Sequence, residues 1–423
     1  MDTPPTTPGL DATGDAKPDT RHALASVLTP PTSPRVSRLS SYISTVTTPD
    51  PTPQSPTLGS RSQGRGMSLD PIQTDLPQSR TAPAGYLVPK CPFDVEILKD
   101  QRGRDAIFGT GAWSIVYKAT TRPKAWSASE SLTPPQSPTV STPALVAVKT
   151  PSRQDAAIIL RNEAKVLSYL HSLSGSDRYI VAFHGILDDA TLVLEAIPLS
   201  LEAHIRKRAV AASREFSTWT MNEPVIGSTS TWLQLAHRLI SALVWLHGEA
   251  GVVHGDIKPG NILLSNMQES DSPTDDLTFD PIYADFSSAQ LLIADEPTPN
   301  TLSAVTREYT APELLKSSVL RDPTSTATTA SDVFSLAVTL LVAATGQLLV
   351  YPGSVFQRQL MATQGWMVLD HVRNGEQGSR VPRMGVVERV LERAVLKADM
   401  GRIGAREWLD IVESMGKGQP RKS

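Results

Sequence analysis

The sequence predicts an α+β fold in two lobes, a small lobe of short antiparallel strands carrying one helix and a larger, mainly helical lobe. Three observations carry that expectation. Short alternating or apolar runs crowd residues 106–196 (AIFG, SIVYKAT, ALVAVKT, YIVAFHGIL, ATLVLEA), the pattern of strands half buried in a sheet. One stretch among them, RQDAAIILRNEAKVLSYLHSL at 153–173, has helical spacing instead. After residue 230 the pattern is helical. In WLQLAHRLISALVWLH, Leu235, Leu239, Leu243 and Leu246 recur along one face, and DVFSLAVTLLVAAT and VVERVLERAVLKA follow.

Before the first strand, residues 1–91 hold 15 of the 34 prolines among Ser, Thr and Gly, with few large apolar side chains. Such a stretch cannot bury enough surface to offset its ordering entropy, so a disordered tail is expected there. TPPTSP at 29–34 returns as TPPQSP at 133–138. Both carry Thr-Pro and Ser-Pro pairs, which resemble sites for proline-directed kinases, although plain low complexity accounts for them equally well. Polar inserts are expected at 121–143, around 209–230 and at 266–277, between elements, where added length costs little. The globular part then spans 92–416, divided near 196, with a short tail at 417–423.

Composition excludes several classes of function. A formal net charge of -3 over 423 residues gives no strong field toward nucleic acid or a membrane. A single cysteine, Cys91, excludes an internal disulfide and a cysteine-rich metal site. The start, MDTPPTTPGLDATGDAKPDT, has no apolar core and does not read as a secretory signal, so a cytoplasmic or nuclear protein is expected. VFSLAVTLLVAATGQLLV at 333–350 is as long as a short membrane span. It contains polar residues and no basic flank, and is expected to be a helix buried on all sides.

The chemistry-bearing residues appear in a definite order. GTGAWSIVY, from Gly109, sits between two predicted strands, where Gly109 and Gly111 would let backbone N–H groups approach phosphate oxygens. Lys149 lies in an apolar strand and needs an anionic partner. Glu163, on the inward face of the following helix with Leu160, Val166 and Leu167, is a natural one. VHGDIKPGNILL at 253–264 then sets Asp256, Lys258 and Asn261 in one short loop.

With these motifs the chain resembles the eukaryotic protein kinase family from about residue 95 to 415, and the resemblance implies the bilobal kinase fold with ATP and Mg2+ as cofactors. It implies that Asp256 is the base toward a substrate hydroxyl, Lys258 neutralises the migrating phosphoryl group, and Asn261 and Asp285 hold magnesium. Lys149 with Glu163 would clamp the phosphates. Gly109, Thr110, Gly111, Val116, Ala147, Glu195 and Ile197 would surround the nucleotide, with Leu194 at the gatekeeper position. TREYTAPE ends an activation segment at Glu313, Asp332 matches the family's catalytic-loop anchor, and Arg402 the arginine that pairs with that glutamate.

His-Gly-Asp stands where the family carries His-Arg-Asp, and Asp-Phe-Ser (285–287) where it carries Asp-Phe-Gly. His-Gly-Asp also occurs in small-molecule phosphotransferases. Lys258, Thr306 seven residues before Glu313, and the segment ending in Ala311-Pro312-Glu313 favour a protein kinase acting on Ser or Thr of protein substrates. A pseudokinase scaffold is the other alternative, weighed against by the retention of Lys149, Asp256, Asn261 and Asp285. Gly255 offers no cation to a phosphate at Thr298, Thr301 or Ser303, so activity without segment phosphorylation is expected.

Overall fold

A computed structural model describes residues 87–122, 144–215, 217–267, 279–292, 306–322 and 324–417. Most of the proline-rich tail, both TPP repeats, and Thr298, Thr301 and Ser303 lie outside the described residues. The first lobe is an antiparallel sheet of β1 (Asp94–Ile97), β2 (Ile107–Thr110), β3 (Ser114–Arg122), β4 (Leu145–Pro151), β5 (Phe183–Ile186) and β6 (Leu192–Glu195). Its order is β1-β3-β4-β6-β5, with β2 also pairing with β3. Helix α1 (Ala156–His171) follows β4.

Strand periodicity sorts the side chains of this sheet into two faces. Val146, Val148 and Val193 pack with Ala119 and Cys91 into a small outer core. Ala147 and Leu194, alternating with them, join the main core on the other face. Across the ladder Val116 opposes Lys149, Lys149 opposes Leu192, and Ala147 opposes Leu194. Directly opposed residues project from the same face, so Val116, Ala147, Lys149 and Leu194 all look toward the second lobe.

That lobe contains α2 (Leu201–Arg214), α3 (Thr229–Val244), α4 (Ser317–Arg321), α5 (Thr329–Thr345), α6 (Val355–Ala362), α7 (Val368–Arg373), α8 (Val386–Leu391) and α9 (Ala405–Lys417). Two small ladders lie between α3 and α4: β7 (Val252–Val253) pairs with β10 (Gln290–Leu291), and β8 (Ile262–Ser265) with β9 (Asp280–Tyr283). At the lobe's centre, α5 is buried on every side from Ser331 to Thr345. A reciprocal cap between Thr328 and Ser331 starts it, and Gly346, at φ +76°, ends it. The apolar run expected to be helical over 333–350 is so only as far as Thr345, and 346–350 lie beyond the helix. Among the described residues no helix is long and apolar enough to cross a membrane.

Three further sequence expectations are corrected. A boundary at residue 92 leaves out residues 89–91, which extend the sheet: Ile186 N–H donates to Pro89 O and Cys91 N–H to Ile186 O, both at 2.9 Å. The stretch 209–230 is not simply a polar loop. Helix α2 continues to Arg214, and Val225 and Ile226 are buried. Their amides donate to Ala344 O (2.8 Å) and Ala343 O (3.2 Å), supplying the donors that the last carbonyls of α5 lack. Finally, VVERVLERAVLKA is helical only over Val386–Leu391. The chain then turns so that Arg402 Nε can donate to Leu396 O at 2.7 Å.

That turn delivers Arg402 to Glu313. Arg402 Nη1 and Nη2 donate to the two carboxylate oxygens at 2.6 and 3.0 Å, and Nη1 also donates to Ala330 O at 2.8 Å. The arginine side chain is wholly buried and the glutamate a quarter exposed. Removing one partner leaves a buried charge, which typically costs about 3–5 kcal/mol. Glu313→Ala should therefore lose about 3 kcal/mol in urea unfolding. A loss below about 1 kcal/mol would mean that the pair does not brace the lobe.

Candidate active site

Lys149 lies in the middle of the inner face, and its ammonium is held from two directions. Its Nζ donates at 2.7 Å to Glu163 and at 2.7 Å to Asp285 Oδ1. Glu163 arrives there because the buried stripe of α1, with Ile159, Leu160, Ala164 and Leu167, faces the sheet. Burial alone would pull the Lys149 ammonium down, but the Asp285 and Glu163 carboxylates outweigh it and hold its pKa above the ordinary lysine range. For Asp285 burial acts upward, and the Lys149 cation overcomes it, holding the carboxyl well below the usual range. Burial raises Glu163, against the pull of Lys149. Glu163 also accepts the backbone N–H of Phe286 at 3.1 Å, so α1 is tied to the loop that carries Asp285.

The 253–264 loop hangs from the first turn of α5. Asp332 accepts the N–H groups of His254 (2.7 Å) and Gly255 (2.9 Å), and lies 3.0 Å from His247 Nε2. These bonds satisfy backbone donors that a buried loop would otherwise leave orphaned. His254 packs its ring 4.9 Å from that of Phe286. Beyond it, Lys258 Nζ donates to Asp256 Oδ2 at 2.6 Å and to the Thr306 hydroxyl at 3.0 Å. Asn261 Nδ2 donates to Asp256 O (2.8 Å) and Oδ2 (3.1 Å). The structure thus brings Asp256, Lys258, Asn261 and Thr306 into one hydrogen-bonded group. Burial raises the Asp256 carboxyl above its ordinary range, and Lys258 partly opposes this.

Because the amide of Asn261 faces Asp256, its carbonyl oxygen remains for another partner. Ala284 N–H donates to Asn261 O at 2.9 Å, placing Asn261 beside the strand end that presents Asp285. One carboxylate and one amide oxygen are hard donors and few in number, which suits a magnesium ion completed by phosphates and water. Asp285 has φ +61°, uncommon for a residue with a side chain, and a bond from the Ser287 side chain stabilises its carboxylate.

Gly109 and Thr110 are the last two residues of β2, paired with Val116 and Ile115, and Gly111 begins the glycine turn into β3, its N–H donating to Ser114 O at 2.8 Å. No sequence pattern marks the next residue but one, Trp113, whose ring packs against the main core. Its indole nitrogen is buried and has no acceptor among the described residues, and the Arg153 guanidinium covers the ring at 4.5 Å. An unmet buried donor costs about 1–3 kcal/mol, and an exposed cation–π contact returns about 0.5–1 kcal/mol. The cation therefore offsets only part of that cost, and the ring's packing against the main core has to supply the remainder. Where β6 ends, Leu194 and Ile197 are buried, Val116 is partly so, and the Glu195 amide donates to Ala182 O at 2.9 Å.

The sequence model of the protein kinase domain matches residues 139–421, well over half of the chain. The chain belongs to the protein kinase family. Its curated relatives include serine/threonine-protein kinase ISR1 of Eremothecium gossypii, 30% identical over 188 residues, or 40% of this chain and 45% of that protein. ISR1 of Saccharomyces cerevisiae is 29% identical over 205 residues, 46% of this chain and 43% of the relative. Ribosomal protein S6 kinase alpha-4 of Mus musculus is 31% identical over 173 residues, 40% and 18% of the two chains. The chain spans less than half the length of these curated relatives. The glycine turn lies before the matched span of the kinase domain, so only its geometry relates it to the remainder of the site.

The kinase domain's departure at Gly255 has a steric cause. Gly255 has φ +81°, and a Cβ there would fall 2.6 Å from the backbone oxygen of Ser288. No side chain fits while the two loops stay this close. Left-handed backbone alone costs an L-residue about 1–2 kcal/mol. Gly255→Ala should therefore lose at least about 2 kcal/mol in urea unfolding, and a neutral outcome would show that the loops can separate freely.

Proposed function

We propose that this chain is a protein serine/threonine kinase, transferring the γ-phosphoryl group of Mg-ATP to Ser or Thr hydroxyls of protein substrates. The observation that carries this is the bonded group of Asp256, Lys258 and Thr306, together with Lys149 paired to Glu163 and Asp285. Phosphoryl transfer depends chiefly on positioning and charge, and these residues supply both. The two ISR1 relatives, both named as serine/threonine-protein kinases, support the same reading.

On this reading Asp256 orients the acceptor hydroxyl and takes its proton as the oxygen attacks the γ-phosphorus. The bond from that phosphorus to the bridging oxygen breaks, and ADP departs. Lys258 faces the charge that builds on the moving group, with Thr306 fixing its direction. Lys149, aligned by Glu163, neutralises the α- and β-phosphates. Asp285 and Asn261 would hold magnesium, which screens the phosphate charge. The buried Leu194 closes the back of the adenine site.

Asp256→Asn should abolish phosphate transfer to protein while Mg-ATP still raises the melting temperature. Equal turnover in variant and wild type would remove Asp256 as the base, and nucleotide binding without turnover in the wild type would favour a scaffold. A second expectation concerns pH. The carboxyl must be ionised to accept a proton, so the rate should fall as pH drops through its raised pKa. Lys258 lowers that pKa, so Lys258→Met should move the acid limb of the residual activity to higher pH. A limb that stays in place or moves lower argues against the assignment.

A further inference from the structure

Beyond these assignments, the contact between Arg153 and Trp113 joins two parts of the site. Trp113 lies at the tip of the glycine turn, two residues after Gly111. Its carbonyl accepts the Ser152 N–H at 2.9 Å, and the next residue, Arg153, lays its guanidinium over the indole at 4.5 Å. Arg153 Nε is aimed by a bond to Asp155 at 2.7 Å, and Asp155 is the residue immediately before α1. The Arg153 carbonyl in turn accepts the Ala156 N–H at 3.1 Å, within the first turn of that helix. One residue therefore contributes its main chain to the start of α1 and its side chain to the tip of the glycine turn. The indole N–H has no acceptor among the described residues, so the ring is held by its packing on the main core and by the Arg153 cation over its face.

We infer that Arg153 is a positioning residue that latches the glycine turn to the N-terminal end of α1, so that closure of the turn and seating of Glu163 against Lys149 occur as one event. An inward α1 carries Arg153 over Trp113 and holds the turn down. When α1 withdraws, the indole loses its cover and the turn is released. The consequence for nucleotide follows from the proposed kinase reading, in which the turn covers the phosphates: a latched turn retains ADP, and an unlatched one exchanges it quickly.

Hydrogen exchange on the full chain without nucleotide tests the latch separately from that reading. Arg153→Met keeps an apolar side chain but removes the cation. It should speed exchange about two- to fivefold in peptides covering 109–116 and raise it at the start of α1. Arg153→Lys, which keeps a cation, should restore most of the protection. Arg122→Met, breaking another surface ion pair of the same sheet with Glu96, should leave both regions unchanged. With nucleotide, Arg153→Met should raise the KM for ATP and speed release of a fluorescent ADP, while kcat at saturating ATP is kept or increased. Unchanged exchange at 109–116, or an equal increase in Arg122→Met, overturns the latch. Faster exchange in a protein that never transfers phosphate would leave the latch standing and fail the kinase reading instead.

Discussion

The ammonium of Lys149 is the point on which the other parts of the molecule converge. It is 3% exposed, and a lone charge so deeply placed would be too costly to keep ionised. It persists because two separate elements each bring a carboxylate to it, α1 through Glu163 and the loop after β9 through Asp285. Neither element can withdraw without leaving this charge poorly compensated. Glu163 then takes the Phe286 amide, and Phe286 packs on His254, so the same chain of contacts reaches the 253–264 loop. The sheet, the helix and both loops are consequently coupled through polar contacts in a place where hydrophobic packing alone would permit many arrangements.

At the other end of the site the rigid element is α5. A fully buried helix gives no freedom to the residue on its first turn, and that residue is Asp332. Its two oxygens fix consecutive backbone amides, those of His254 and Gly255. This sets the direction in which the chain leaves toward Asp256. The apolar stretch that could have been taken for a membrane span is thus the post from which the polar loop hangs. Arg402 performs a parallel task nearby, since the turns after α8 bring its guanidinium beneath the Glu313 carboxylate.

Much of this was legible in the residues. Lys149 in an apolar strand requires an anion, and a glutamate on the inward face of the next helix supplies one, so that pair follows from burial and periodicity. The second anion, Asp285, is more than a hundred residues away, and only the order of motifs pointed to its neighbourhood. Other features were hidden for identifiable reasons. Residues 89–91 are too few and too polar to show a period of two, and they join the sheet only because Gly185, at φ +114°, lets the chains approach. Val225 and Ile226 sit in a polar stretch whose purpose, serving the end of α5, involves residues distant in sequence. The seat of Trp113 is set by Arg153 from across a long insert, and no local pattern marks a cation over an indole.

Gly255 brings the two loops into one argument. Kinases that carry an arginine at this position present a cation that an activation-segment phosphate can engage through charge-assisted bonds. Here a side chain is excluded by the carbonyl of Ser288, and the space is closed by backbone against backbone. The 253–264 loop is already held without that cation, by Asp332 at its start and by the mutual bonds of Asp256, Lys258, Asn261 and Thr306 further on. A phosphate on the segment would therefore have no gap in charge to fill at residue 255. Ordering of the base and control of the site then become separate problems. The first is met within the large lobe, and the second falls to elements whose hold is weak, among them the glycine turn with its half-covered indole.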